Sequence, residues 1–125
     1  MRKRDAFGDT FATLRRMLDT HAKTLLVQVD KPGDYQVCLP TKTDRIGRPL
    51  FVAAVQTRKN YVSFHLMPVY MCPELVKTVS PALKKRMQGK ACFNFTTIEP
   101  AQVKELSALT KKGLARMKSV KLPWA

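Results

Sequence analysis

The stretch Tyr61-Val62-Ser63-Phe64-His65-Leu66-Met67-Pro68 decides the fold. Val62, Phe64 and Leu66 are apolar, and the alternates Tyr61, Ser63, His65 and Met67 form a mixed set. A period of two is that of a β-strand with one face in a core and the other turned away. Upstream, across the short connection Arg58-Lys59-Asn60, Phe51, Ala53 and Val55 mark a second strand of the same kind. Further back, Leu25, Val27 and Val29, then Tyr35, Val37 and Leu39, make two arms of a hairpin around Lys31-Pro32-Gly33-Asp34. Proline presets its own φ in such a turn, and glycine accepts the positive φ that follows. Pro40 is expected to stop the second arm, with Thr41 to Pro49 as a polar loop. Downstream, Pro68 to Pro73 reads as an extended link and Glu74 to Val79 as a helical turn or two. Ser80-Pro81 is a helix start and Gly89 its expected stop. Phe93 and Phe95 carry a fifth strand.

Helices flank this sheet. Phe7, Phe11, Leu14 and Leu18 fall at i, i+4, i+7 and i+11, one stripe of a helix over residues 5–20. Pro100 opens a last helix with Val103, Leu106, Leu109 and Met117 near one face. Strands joined by short turns pair antiparallel, and helices at both chain ends are free to cover one sheet face. The expectation is an α+β two-layer sandwich. It has a five-stranded antiparallel sheet, N- and C-terminal helices on one face, and short helices before the last strand. Residues 1–125 read as one domain, with 119–125 as a tail whose Trp124 either docks on its own chain or reaches a neighbouring subunit.

A chain of 125 residues can bury one core without disulfides or a metal. The 23 Lys and Arg outnumber the 9 Asp and Glu, giving a formal net charge of +14. Such a surface attracts anions: an acidic protein, a phosphorylated metabolite, nucleic acid or acidic lipid; it also serves solubility alone. Cys38, Cys72 and Cys92 are odd in number and far apart, which suits a reducing compartment better than a disulfide scaffold. No segment has the apolar length needed to span a membrane, and no apolar run follows the basic start. The expected location is the cytoplasm.

Two stretches carry a family resemblance. Phe64-His65-Leu66-Met67-Pro68 is a strand with an apolar-Met-Pro exit. Gly89-Lys90-Ala91-Cys92-Phe93-Asn94-Phe95 is a Gly-Lys-small-Cys-apolar-x-Phe strand ahead of a final amphipathic helix. With the opening helix and Phe51-Val52-Ala53-Ala54-Val55, the chain over residues 5–118 resembles the YdhG-like family, also called domain of unknown function 1801. The resemblance implies a frataxin-like α/β sandwich, and for one branch an iron-chaperone role resting on clustered carboxylates. This chain departs from that pattern. Its first helix offers Asp5, Asp9 and Asp19, diluted by Arg4, Arg15 and Arg16, so no iron ligand is carried over.

The alternates on the sheet's second face are Tyr61, Ser63, His65, Met67, Cys92 and Asn94, with Gln36 and Cys38 from the hairpin. They form either a binding surface or the solvated face that antiparallel sheets commonly carry. The strongest chemical signal is cationic: Lys84-Lys85-Arg86 with Lys90, then Lys111-Lys112 with Arg116, Lys118 and Lys121, then Lys42, Arg45 and Arg48. Binding phosphate requires such charges to converge; otherwise they are solvated helix faces. His65 is a candidate general base without a partner in a recognised arrangement. Cys72, at a helix entrance, is the thiol best placed for reactivity, against the plainer reading of an inert one. No metal-ligand spacing and no cofactor motif is present.

The functional expectation is therefore a non-enzymatic binding domain. Its candidate surface comprises Tyr61, His65, Asn94, Lys84, Lys85, Arg86 and Lys90. Its partner is an anionic ligand or an acidic protein. Nucleic acid bound without sequence preference, a frataxin-like iron role and a second copy of the chain are the alternatives.

Overall fold

The computed structural model of the protein describes residues 3–122, with side chains from residue 6 onward. Trp124 lies outside the described residues.

The elements are α1 (Lys3–Asp19), β1 (Leu26–Lys31), β2 (Asp34–Thr43), β3 (Pro49–Thr57), β4 (Val62–Leu66), α2 (Met67–Met71), α3 (Pro81–Lys84), β5 (Met87–Gln88), β6 (Cys92–Phe95) and α4 (Pro100–Ser119). Short 3-10 turns at Ala22–Thr24 and Pro73–Thr78 complete the order. All pairings are antiparallel, in the order β1-β2-β3-β4-β6-β5. The sheet thus has six strands rather than five. The extra one is β5, only two residues long and without an alternation to read.

The stripe on α1 is buried as its spacing dictates: Phe7, Leu14 and Leu18 are in the core and Phe11 packs against it. α1 contacts β3, β4 and α4, and α2 contacts α4 and β3. Val62 and Phe64 of β4 lie directly opposite Phe95 and Phe93 of β6, and all four are sealed from solvent beneath the helical layer. Truncating one such phenylalanine to alanine costs about 3–5 kcal/mol. Glu99 and Gln102 close a reciprocal capping box at the start of α4, with the Glu99 N–H donating to Gln102 Oε1 at 3.1 Å.

Four local expectations are corrected. A bulge shifts the β2–β3 register between Val37 and Cys38, so that Ala53 faces Val37 while Phe51 faces Cys38. The extra residue, Val52, joins the core, Leu50 goes in with Leu39, and Phe51 moves to the open face. A second bulge, at Gln28, turns Val29 toward Gln36 on that same face. Pro40 does not end β2. The ladder is interrupted after Leu39 and resumes at the Thr43–Pro49 pair, so the missing N–H of Pro40 falls in the gap. Residues 68–71 are helical, not extended: Pro68 sits in the first turn of α2, where no N–H partner is lost.

Ser80 caps α3 as expected, its Oγ accepting from the Leu83 N–H at 3.2 Å. That helix stops at Lys84. Gly89, with φ 78°, serves as the left-handed turn between β5 and β6 instead of ending a helix. At the other end, Leu122 is buried in the core, and Lys42 Nζ donates to the Val120 carbonyl at 2.8 Å.

Candidate functional site

The open face of the sheet is most chemically concentrated where β4, β6 and β5 lie side by side. Ser63 stands opposite Asn94, His65 opposite Cys92, and Cys92 opposite Gln88, so the pairing itself brings these side chains to one face. Asn94 is their centre. Its Oδ1 accepts from Ser63 Oγ at 2.9 Å and from Cys92 Sγ at 3.2 Å, and its Nδ2 donates to Gln88 Oε1 at 2.6 Å. His65 Nε2 lies 3.9 Å from Cys92 Sγ.

The rim comes from neighbouring turns. The Arg58 N–H donates to the Tyr61 carbonyl at 2.8 Å, folding the β3–β4 connection so that both side chains border the face. Arg58 donates to Gln56 Oε1 at 2.6 Å, and Gln56 donates in turn to Asp34 Oδ1 at 3.1 Å. Across Asn94, Lys85 and Arg86 enter from the segment leading into β5. The Arg86 carbonyl accepts the Asn94 N–H at 2.8 Å, which ties that segment to β6. Two adjoining depressions result, of about 490 and 390 Å³, sharing Tyr61, Gln88 and Asn94.

The electrostatics keep the floor neutral. Burial, with the nearby Arg58 charge, lowers the His65 pKa below its ordinary value. Burial pushes the Cys92 thiol up, against the opposing pulls of the Ser63 hydrogen bond and Arg58. At neutral pH the pair is therefore imidazole and thiol, not imidazolium and thiolate, and its first capability is hydrogen bonding rather than nucleophilic attack. The cations on the rim face no carboxylate lining.

The sequence-derived surface is thus brought together in part. Tyr61, His65 and Asn94 meet, and Lys85 and Arg86 join them. Lys84 and Lys90 do not. They border another depression, around Tyr70 and Val76, where Lys90 Nζ lies 5.9 Å from the Tyr70 ring centroid. Met67 also leaves the open face, because it opens α2 and packs against the core. Arg58, Ser63 and Gln88 complete the site. Arg58 reads in sequence as a connection, and Gln88 as the end of a helix, so only the hairpin geometry reveals them.

Other sequence candidates are accounted for elsewhere. Cys72 is buried in the core, in keeping with the plainer reading of an inert thiol. His21 Nε2 is hydrogen-bonded to Ser107 Oγ at 2.9 Å. Asp19 accepts from the Tyr35 hydroxyl, and Arg15 pairs with Asp30 at 2.8 Å while lying over the Tyr35 ring. The remaining basic clusters are dispersed: Arg116 pairs with Glu74 at 2.8 Å, Arg48 with Asp44 at 3.0 Å, and Lys118 Nζ donates to Thr24 Oγ1 at 2.9 Å. Among the described residues no three His, Cys, Asp or Glu side chains gather as a metal site. No described helix is long and apolar enough to cross a membrane.

Comparison of the chain with protein families, with curated proteins and with solved structures returned no match.

Proposed function

We propose that the protein is a non-enzymatic binding domain that holds an anionic ligand on the open sheet face, between Arg58 on one side and Lys85 and Arg86 on the other. One observation carries this reading. Three cationic side chains and a neutral hydrogen-bonding floor line two contiguous depressions into which no Asp or Glu projects. A concavity lined by charge of one sign concentrates ligands of the opposite sign. Depressions of this size suit a small phosphate- or carboxylate-bearing molecule more closely than a broad acidic protein surface. Guanidinium groups favour such planar or tetrahedral oxyanions because they donate in a fixed fork.

The neutral Cys92–His65 pair serves the ligand as a hydrogen-bonding floor. Among the described residues nothing favours the iron-carrier alternative, since Asp19 is held by Tyr35 and Arg15, and Asp9 is exposed on α1; the Asp5 side chain lies outside the described ones. Kinship with the YdhG-like family is part of the same proposal. Its support is the element order, helix, antiparallel sheet and closing helix, together with the Gly89–Phe95 stretch that forms β6 and its entry. Three free thiols support work in the cytoplasm.

The test is calorimetric titration with inorganic phosphate, pyrophosphate and citrate at low salt. The triple variant Arg58→Gln, Lys85→Gln, Arg86→Gln should lose binding, whereas Lys84→Gln with Lys90→Gln should keep it. Equal weakening by both sets, or no heat with any of the anions, overturns the reading.

A further inference from the structure

A larger concavity lies elsewhere, in a groove of about 790 Å³ between α1 and α4. Its walls are two helical stripes. Thr13, Arg16 and Met17 of α1, with Thr20 just past its end, follow i, i+3, i+4 and i+7. Val103, Lys104, Ser107, Ala108 and Lys111 follow the same kind of row along α4. Most of the neutral polar groups are already satisfied within the fold. Ser107 is bound to His21, and Thr20 Oγ1 donates to the Met17 carbonyl at 2.7 Å. What the groove offers a partner is therefore apolar surface from Ile98, Val103 and Ala108 over the buried Met17, edged by the charges of Arg16, Lys104 and Lys111. Among the described residues none of these three cations is in an ion pair.

The spacing of the charges selects the occupant. Lys104 and Lys111 are seven residues apart on one helix, about 10 Å along its axis, and Arg16 faces them from the other wall. A single-headed anion, such as a fatty carboxylate, would engage one of them and leave the others unused. An elongated partner with carboxylates on successive turns engages all three while laying apolar side chains on the floor. Two helices already form the walls, so the matching element is a third helix set in the groove. We propose that the α1–α4 groove receives an acidic amphipathic helix of a partner protein. The site shares no lining residue with the sheet-face depressions and does not rest on the anion-binding reading.

Fluorescence anisotropy tests this with a labelled synthetic helix that carries leucines at i, i+3, i+4 and i+7 and glutamates on both flanks. A second probe has lysine in place of every glutamate. The acidic probe should bind the full chain, weaken as salt is added, and lose at least about tenfold in affinity to Lys104→Glu with Lys111→Glu. The basic probe should not bind. Both substituted lysines are exposed, and matching thermal melts confirm that the variant is folded. Val103→Asp should weaken the acidic probe through the floor, whereas the sheet-face triple variant should leave its affinity unchanged. Equal binding of the two probes, or an unchanged affinity in the lysine variant, overturns the proposal. It is also overturned if laurate binds the groove while the acidic probe does not, or if sedimentation shows the lysine variant abolishing self-association instead.

Discussion

Gly113 lies in the interior of α4, where an alanine would ordinarily stabilise the helix by about 1 kcal/mol. Here the added methyl carbon would stand 2.7 Å from Pro68 Cβ and 3.2 Å from its Cγ. Carbon contacts settle near 3.5–4.0 Å, so the intrusion is about 0.8 Å. The proline ring has no rotamer through which to retreat, and Pro68 and the adjacent Val69 are both buried. Relief therefore requires α2 and α4 to move apart, an overpacking cost toward the upper end of about 1–3 kcal/mol. Set against the helix gain, Gly113→Ala should destabilise by about 1–2 kcal/mol, lowering Tm by about 4–8 °C for a chain of this length. Gly8 is the internal control. It is exposed on the outer side of α1, its added methyl would meet nothing within 4 Å, and Gly8→Ala should raise Tm. Calorimetric melts of both variants decide the matter. If Gly113→Ala raises Tm as Gly8→Ala does, α2 does not rest on α4 and the helical layer is wrongly assembled.

Four further outcomes are expected. Tyr35→Phe removes the hydroxyl that donates to Asp19 while keeping the ring beneath Arg15, and should cost about 1.5 kcal/mol in urea unfolding. In the unmutated protein that phenol, pushed up to about 12 chiefly by burial, should stay protonated in an alkaline absorbance titration until well past the range of a free tyrosine. His21 and His65 both have pKa values lowered chiefly by burial, so the unfolded chain takes up protons first as pH falls. Stability should therefore be full above the unfolded histidine value of about 6.5, decline below it, and decline less in the His21→Gln, His65→Gln double variant. Cys92 is the most accessible of the three thiols, yet burial raises its pKa, so its alkylation should be slow at neutral pH and accelerate in alkali.

Alternation and helical spacing placed the core because burial enforces them. Phe64, Phe93 and Phe95 pay for any other orientation in lost apolar contact, and they lie where a period of two puts them. The bulges at Val52 and Gln28 are a different matter. Each inserts one residue into a strand that still looks regular, and Phe51 and Val29 change faces with no local signal. The helix at 67–71 is hidden by Pro68, which reads as a breaker and acts as a first-turn residue. β5 is hidden because its two residues take their strand geometry from pairing with β6.

The candidate site was legible to the extent that it follows from pairing. Tyr61, His65 and Asn94 occupy alternate positions on neighbouring strands, so a correct sheet assigns them to one surface. The division of the basic cluster was not legible. Lys84, Lys85, Arg86 and Lys90 are close in sequence, but the early end of α3 and the Gly89 turn send Lys85 and Arg86 to one depression and Lys84 and Lys90 to another. Arg58 enters through a turn whose direction is set by a backbone hydrogen bond to Tyr61.

The most direct measurement is a two-dimensional amide and side-chain NMR titration of the full chain with pyrophosphate at low salt. Binding at the open face predicts saturable shifts at Ser63, His65, Gln88, Cys92 and Asn94 and at the Arg58 side chain, with Ser107 and Val103 unmoved. Shifts gathered instead around Tyr70 and Lys90, or spread evenly over all exposed lysines, would contradict it.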